Sequence, residues 1–363
     1  MDKELEALLL AAGRAPSGDN MQPWRFAVDP EARRVTLQVD ESRDPSPMNA
    51  GQRMARVAVG AALENLLRTA QAHGWTAEVE IEPEHASVVV QLSGGGKVGR
   101  EVIELIAARV TNRRLYDGRP VAPDQLAQLA QETAASDGVS THWIASKERV
   151  VSLAGVIGQA DALMFGDPTM RHAFLENVRF DEPPDAQVSE GLCLAALELS
   201  GPDRLALRMM KRTPDWLLKA GGSARIFAAK ARQLIESAAG LCLIVAHENT
   251  LQTDVAVGRA MQRAWLALTA RGLAAQPMMS LPVLENALEH GEPALITALG
   301  RERVTALGTE FRALSPELGP GRLASVLRFG FGPAPTGRTG RLLLSQITME
   351  AAPASSAHGV GWQ

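Results

Sequence analysis

The sequence predicts a mixed helix-and-strand protein made of two related halves joined near residue 100. Two internal matches in the same order carry this expectation, together with the helix-then-strand pattern around each. Residues 57 to 75 read VAVGAALENLLRTAQAHGW and residues 255 to 273 read VAVGRAMQRAWLALTARGL. Their first four residues are identical, and Ala62/Ala260, Ala72/Ala270 and Gly74/Gly272 keep register. Both stretches are apolar on nearly every face through their first turns and close with glycine, as a buried helix and its C-cap would. Aligning Trp24 with Trp143 gives the second match, RAPSGDNMQPWRFA over TAASDGVSTHWIAS. Ala15/Ala134 and Ser17/Ser136 coincide there, while Pro16, Asn20, Gln22 and Pro23 have no counterpart. A helical segment precedes each copy and a strand-like run follows it.

The two landmarks lie farther apart in the second half, and much of the surplus falls between about 160 and 225. That stretch carries Met164, Met170, Met209 and Met210 beside the basic run Arg204, Arg208, Lys211 and Arg212. Methionine adapts to variable binding surfaces, so the surplus is either a lid over a pocket or a helical elaboration packed on the core. The organisation expected is a first half over 1–100, a second over 101–350 with the insertion, and a loose tail over 351–363. SGGGKV at 93–98 is expected to be the turn or linker between the halves.

Bulk properties narrow the function. The chain has 363 residues, 46% hydrophobic and 21% charged, with a net charge of −4. That is the composition of a globular protein with no basic footprint for nucleic acid. Asp2 and Glu4 stand where a signal peptide would be basic, and no apolar run reaches a membrane-spanning length. With only Cys193 and Cys242, neither a disulfide framework nor a cysteine metal cluster is expected, which suits the cytoplasm. The seven histidines show no metal-ligand spacing, and no P-loop, nucleophile elbow or Rossmann glycine fingerprint occurs.

Three stretches carry chemistry. In RVTNRRLYDGRPV, 109–121, Arg109, Thr111 and Arg113 alternate. If extended, they point one way and make a fork for a phosphate monoester; if helical, they only coat a surface. In GLAAQPMMSLP, 272–282, Pro277 rigidifies a turn that leaves the Met279 and Ser280 amides free for a flat heterocycle, or simply leads into a short strand. The stretch VLRFGFGPAPTGRTGRLLL returns two cations, Arg338 and Arg341, late in the chain.

In this order the stretches resemble the nitroreductase family of flavoproteins. APSGDNMQPWRF is similar to its Pro-Ser-x-x-Asn-x-Gln-Pro-Trp loop, RVTNRR to its Arg-x-Ser-x-Arg phosphate segment, and GLAAQPM to its Gly-Leu-x-x-x-Pro-Ile stretch. LRFGFGPAP and the arginines after it resemble the closing strand, and the tandem arrangement resembles the Acg-like branch. The resemblance implies an α+β nitroreductase fold, mostly antiparallel sheets around central buried helices, duplicated internally as a fused pseudo-dimer. It implies an FMN site with no catalytic residue beyond the flavin. Arg109, Thr111 and Arg113, with Arg338 or Arg341, would hold the phosphate. Pro16, Ser17, Gly18 and Asn20 would meet the ring and ribityl chain, and Pro277, Met278, Met279 and Ser280 would line the ring.

The activity implied is an FMN oxidoreductase, reduced by NADPH or NADH and reoxidised by a small electron acceptor such as a nitroaromatic or quinone. FMN storage under the lid with little turnover, and a specialised biosynthetic dehydrogenase, stay open beside it. Neither a metal, nor nucleic acid, nor a membrane is expected as a partner. A monomer suffices for one FMN per chain, because the second-half loop has lost its polar residues and no phosphate segment is expected before the first helix; a homodimer is compatible with this.

Overall fold

The computed structural model describes residues 3–83, 86–96, 99–134, 138–183 and 186–350. The expected tail, 351–363, lies outside them, as do residues 97–98 of the linker and 135–137 of the second loop. The first half runs α1 (Lys3–Gly13), β1 (Trp24–Asp29), β2 (Arg34–Val39), α2 (Arg53–Ala72), β3 (Trp75–Glu82) and β4 (Ser87–Gly94). After α3 (Arg100–Ala108) the second half begins with α4 (Pro123–Glu132) and β5 (Val139–Ile144). An insertion follows: α5 (Lys147–Gly166), α6 (Pro168–Asn177), β6 (Val178–Arg179), β7 (Leu192–Cys193), α7 (Gly201–Met210), α8 (Asp215–Ala220) and α9 (Ser223–Glu236). The half resumes with β8 (Gly240–Ala246), α10 (Leu251–Ala270), β9 (Ala274–Pro277), α11 (Ser280–His290), α12 (Pro293–Leu299), α13 (Arg301–Leu314) and β10 (Arg322–Gly330), and ends in α14 (Leu344–Ile347) and β11 (Thr348–Glu350).

The two main sheets repeat one plan. The first is ordered β11-β1-β2-β4-β3 and the second β5-β8-β10-β9. Apart from β11, each half has its first, second, fourth and third strands side by side, all antiparallel. In each, the long helix links the second strand to the third. The fold is therefore α+β, and among the described residues the parallel ladders are the short β1–β11 and β6–β7 pairs.

α2 and α10 cross at the centre, and the equivalent glycines make the crossing close. A Cβ on Gly60 would lie 2.0 Å from the Val255 carbonyl oxygen, and one on Gly258 would lie 1.9 Å from that of Val57. Each glycine thus meets the backbone three residues before its counterpart. The polar contacts repeat the exchange: Glu64 pairs with Arg263, while Gln262 donates to Asn65. Arg56 pairs with Asp254, its own equivalent 198 residues on. These reciprocal contacts describe an approximate two-fold axis through the helix pair.

The Trp24–Trp143 match keeps its spacing from the preceding helix, α1 ending at Gly13 and α4 at Glu132, but the strands begin at different points relative to it. Trp24 opens β1, whereas Trp143 is the fifth residue of β5. The helix-to-strand connection is shorter in the second half, so the strand begins before its tryptophan. The surplus expected over 160–225 is the middle of a longer insertion between β5 and β8. Its outer helices, α5 and α9, belong to the second core with β8, burying Val150, Leu153, Ile157, Ala231 and Ile235. Between them, Leu175, Val178, Leu194 and Leu207 form a small cluster of their own. Among the described residues no single helix is long and apolar enough to cross a membrane.

Candidate functional site

The loop 14–23 holds three non-glycine residues at positive φ: Asp19 at 44°, Asn20 at 59° and Gln22 at 53°. Such conformations cost of order 1–3 kcal/mol each unless neighbours enforce them. Here they do. The Ser17 Oγ accepts from the Gln22 amide at 2.9 Å. The Asn20 carboxamide donates to Gly191 and Gly340 carbonyls and accepts from Arg341 at 2.8 Å. Gln22 donates to the Ser189 carbonyl and accepts from the Leu342 amide, both at 2.9 Å. The loop is thus tied to the insertion and to the closing segment 339–342. The strain rests on Asp19, Asn20 and Gln22 rather than on Gly18, where a side chain would meet only Asp44 at 3.7 Å.

The segment after α3 leaves the helix and runs extended beside β9. Thr111 bridges Ala275 in parallel, and the Asn112 amide donates to the Ala275 carbonyl at 3.0 Å. Arg109, Thr111 and Arg113 consequently line one cavity of about 120 Å³, with Arg14, Pro16, Ser17, Asn20, Arg338 and Arg341 around it. Arg328, fully buried, fixes this segment by donating to the Asn112, Arg114 and Leu234 carbonyls and to the Gln276 side chain. It is a strut and lines neither lobe of the cavity.

The electrostatics of this end are lopsided. Among the described residues, Arg14, Arg109, Arg338 and Arg341 form no ion pair with a carboxylate. Arg109 donates to the Arg14 carbonyl at 3.0 Å and lies 4.6 Å over the Trp265 ring. Burial, then the charges of Arg341, Arg338 and Arg14, pull its guanidinium down to about 9. Burial, then Arg14, brings Arg341 to about 10. A guanidinium remains charged in proteins, so these are buried positive charges that also repel one another. The Nε atoms of Arg109 and Arg341 are buried without a partner. Arg338 lies at the edge, donating to the Ala107 carbonyl at the end of α3.

Pro16, Ser17, Asp19, Thr111, Arg113 and Leu192 also line a second lobe, of about 380 Å³, into which the cationic end opens. Gly18 and Pro277 through Ser280 line this chamber, and Met48, Met261, Trp265, Phe165, Phe174 and Phe227 make it apolar. The Met278 amide is committed to the Val326 carbonyl at 2.7 Å. α11 begins at Ser280, so the Met279 and Ser280 amides fall at its N-terminus, ahead of intrahelical bonding. The residues picked from the sequence are therefore divided between two connected lobes, one cationic and one apolar.

Sequence reasoning missed Arg14, Trp265, Lys230 and the carboxyls of Asp19, Asp44 and Asp161, all of which line the lobes. Arg14 stood inside a quoted motif, and its position just before the prolines was the available signal. The others lie on helices or loops whose facing is set only by tertiary packing.

No family model matches the sequence. The chain is 25% identical over 342 residues to the uncharacterized protein MT1398 of Mycobacterium tuberculosis (strain CDC 1551 / Oshkosh), covering 91% of this chain and 46% of that protein. It thus spans about half the length of the curated relative it matches. Among solved structures, it is 17% identical to the FMN-dependent nitroreductase NfnB of Mycobacterium smegmatis in complex with NADPH, over 70% of this chain and 99% of that one, with a TM-score of 0.41. It is 15% identical to a nitroreductase with bound FMN from Bacteroides fragilis, over 70% and 96%, with a TM-score of 0.33. A third, the FMN and NADPH-dependent nitroreductase NfnB from sphigopyxis sp. strain HMH, is 19% identical over 67% and 96%, with a TM-score of 0.37.

Proposed function

We propose that the chain is an FMN-binding oxidoreductase of nitroreductase type, with one site built between its halves. NADPH or NADH is the reductant and a small electron-poor molecule the acceptor. One observation carries this: an arginine cluster in which Arg14, Arg109, Arg338 and Arg341 have no carboxylate partner among the described residues, with Asp19 the one carboxyl in the cavity lining, adjoins an apolar chamber. FMN has that polarity, a phosphate dianion at one end and a flat ring at the other. The orphaned Nε atoms of Arg109 and Arg341 supply buried donors for an anion. Arg109, Arg341, Thr111 and Arg14 would hold the phosphate, with Arg113 and Arg338 at its margins. Pro16, Ser17, Gly18 and Pro277 through Ser280 would flank the ring, with Asn20 bracing the loop.

When bound, FMN supplies the two-electron chemistry. The chain contributes orientation and exclusion of water: the strained loop fixes one wall, and Phe174 and Leu207 of the insertion roof the chamber. The insertion in this reading acts as a lid through α6, α7 and the segment between them, while α5 and α9 are its fixed base. Asn112, Arg328 and Tyr116 position the phosphate segment without touching the cofactor.

Calorimetric titration of apo-protein tests the site. Saturation at one FMN per chain is expected, because the second-half counterpart of the loop has lost its proline and asparagine, and Trp143 there is engaged with Thr133 at the end of α4. Saturation at two per chain with similar affinities would overturn the single-site arrangement. Anaerobic bleaching of the bound flavin by NADPH or NADH then separates turnover from storage, and a flavin-loaded protein that neither nucleotide bleaches would defeat the oxidoreductase reading.

A further inference from the structure

Asp161 is a carboxyl in the wrong place for a structural role. It lies on α5 in a wall of the apolar chamber shared with Met164, Phe165, Phe227 and Leu234. Burial pushes its carboxyl up to about 7, against the opposing influence of the nearby Ser280 hydroxyl at the start of α11. No other charge contributes to that shift. Asp44, also held at about 7 by burial and by Asp19, is itself only 5% exposed. Asp161 is the more open of the two to the chamber.

The two cations that line the chamber with it are both engaged. Lys230 of α9 pairs with Asp203, and Arg113 donates to the Ala196 carbonyl and faces Asp19. On the packed elements beyond, Arg232 of α9 pairs with Glu236, and Glu285 of α11 with Arg312 of α13. A ring entering this lobe therefore meets carboxyls and no available positive charge. An acidic ring would be desolvated there without a partner, which is strongly unfavourable.

We propose that Asp161 selects the acceptor by charge: the chamber binds an uncharged ring whose hydrogen-bond-accepting oxygen meets the Asp161 carboxyl, and it excludes rings that carry a carboxylate. This names the substrate class of the site above and rests on that reading for the ring's role as electron acceptor. The sign follows from the raised carboxyl. Below about pH 7 Asp161 is neutral and donates a hydrogen bond; above it the ionised group repels anions and attracts cations.

Benzamide, benzoate and benzamidinium share one ring and differ in charge, so they are suitable probes. Each is titrated calorimetrically into the protein as purified, at about pH 6 and about pH 8. Benzoate is expected to bind roughly tenfold more weakly at the higher pH and benzamidinium roughly tenfold more tightly, while benzamide weakens only a few-fold, its carbonyl losing the donated hydrogen bond but its N–H still able to donate to the ionised carboxyl. Asp161→Asn should flatten both trends, and Asp44→Asn should leave them intact. Asp161→Leu, which suits the apolar wall, replaces the asparagine variant should that one fail to fold. Trends that persist without Asp161, trends that vanish without Asp44, or no ring binding at all would each overturn the proposal. Normal discrimination by a protein that takes up no FMN would sink the flavin reading and leave Asp161 standing; a flavin-loaded protein without discrimination would do the reverse.

Discussion

Gly258→Ala is expected to lower the melting temperature by roughly 6–12 °C, and Gly60→Ala with it to prevent folding. A Cβ at Gly258 would sit 1.9 Å from the Val57 carbonyl oxygen and 2.8 Å from the Ala61 amide nitrogen. Both are backbone atoms of a buried helix, and neither can rotate aside. The helices must separate, opening gaps along a core in which Val57, Ala61, Ala264 and Leu268 are fully or almost fully buried. Overpacking of side chains costs about 1–3 kcal/mol, and a backbone obstacle belongs at or above the upper end. Near 3 kcal/mol, at roughly 2–4 °C per kcal/mol for a large domain, gives the shift stated. The gain of about 1 kcal/mol in helix propensity from glycine to alanine is too small to offset it. Gly155, on α5 with open space where its Cβ would go, is the control. Gly155→Ala should hold or raise the melting temperature, and equal melting of the Gly155 and Gly258 variants would disprove the crossing.

Arg109→Ala is expected to weaken FMN binding at least tenfold to a hundredfold. A charge-assisted hydrogen bond contributes about 1.5–3 kcal/mol, and each 1.4 kcal/mol is a factor of ten in affinity. The apo-protein should barely notice the change. Arg109 loses one backbone hydrogen bond and the face of Trp265, but its removal relieves repulsion by Arg338, Arg341 and Arg14. Arg328→Met should behave in the opposite way. That arginine satisfies three carbonyls and the Gln276 side chain inside the protein, so its loss orphans buried acceptors and destabilises the apo-protein itself. Melting curves with and without FMN separate the two: Arg109→Ala loses the FMN-dependent rise, and Arg328→Met loses the baseline. Unchanged FMN affinity in Arg109→Ala would place the anion elsewhere.

The sequence was most legible where one residue type has one physical use. The VAVG tetrapeptides marked α2 and α10 because small residues on every face leave a helix only one place to go, the centre. The alternation of Arg109, Thr111 and Arg113 became informative once the segment was known to be extended, and β9 alongside it decides that. Strand order could not be read, since β8 and β10 are buried almost throughout, with no alternation of apolar and polar positions to choose their neighbours. The Trp24–Trp143 alignment kept its distance from the preceding helix but did not reveal that β5 begins four residues before its tryptophan, because a strand's start is set by its partner strand and not by composition. Asp161 was invisible for a related reason. One acid in an apolar helix is usually turned to water, and only the packing of α9 and α11 against α5 encloses it in a chamber. Glycine was likewise an unreliable guide in the first loop, where hydrogen bonds to distant segments force the positive φ angles onto side-chain-bearing residues.

The return of β11 to β1 has a consequence for synthesis. The loop leading into β1 is joined to the segment leading into β11 by the Gln22–Leu342 bond, across 320 residues. At about 5–20 residues per second, a ribosome needs roughly 15–60 s to cover that distance. Throughout that interval β1 has β2 on one side and a bare row of amides and carbonyls on the other. Its register is open to any extended chain nearby, including a neighbour on the same polysome. Gln22 and Asn20 also wait for their last partners, so the strained loop cannot settle before the closing segment arrives. The nascent first half thus passes that interval as an unfinished sheet, and its folding is completed by a segment made 320 residues later.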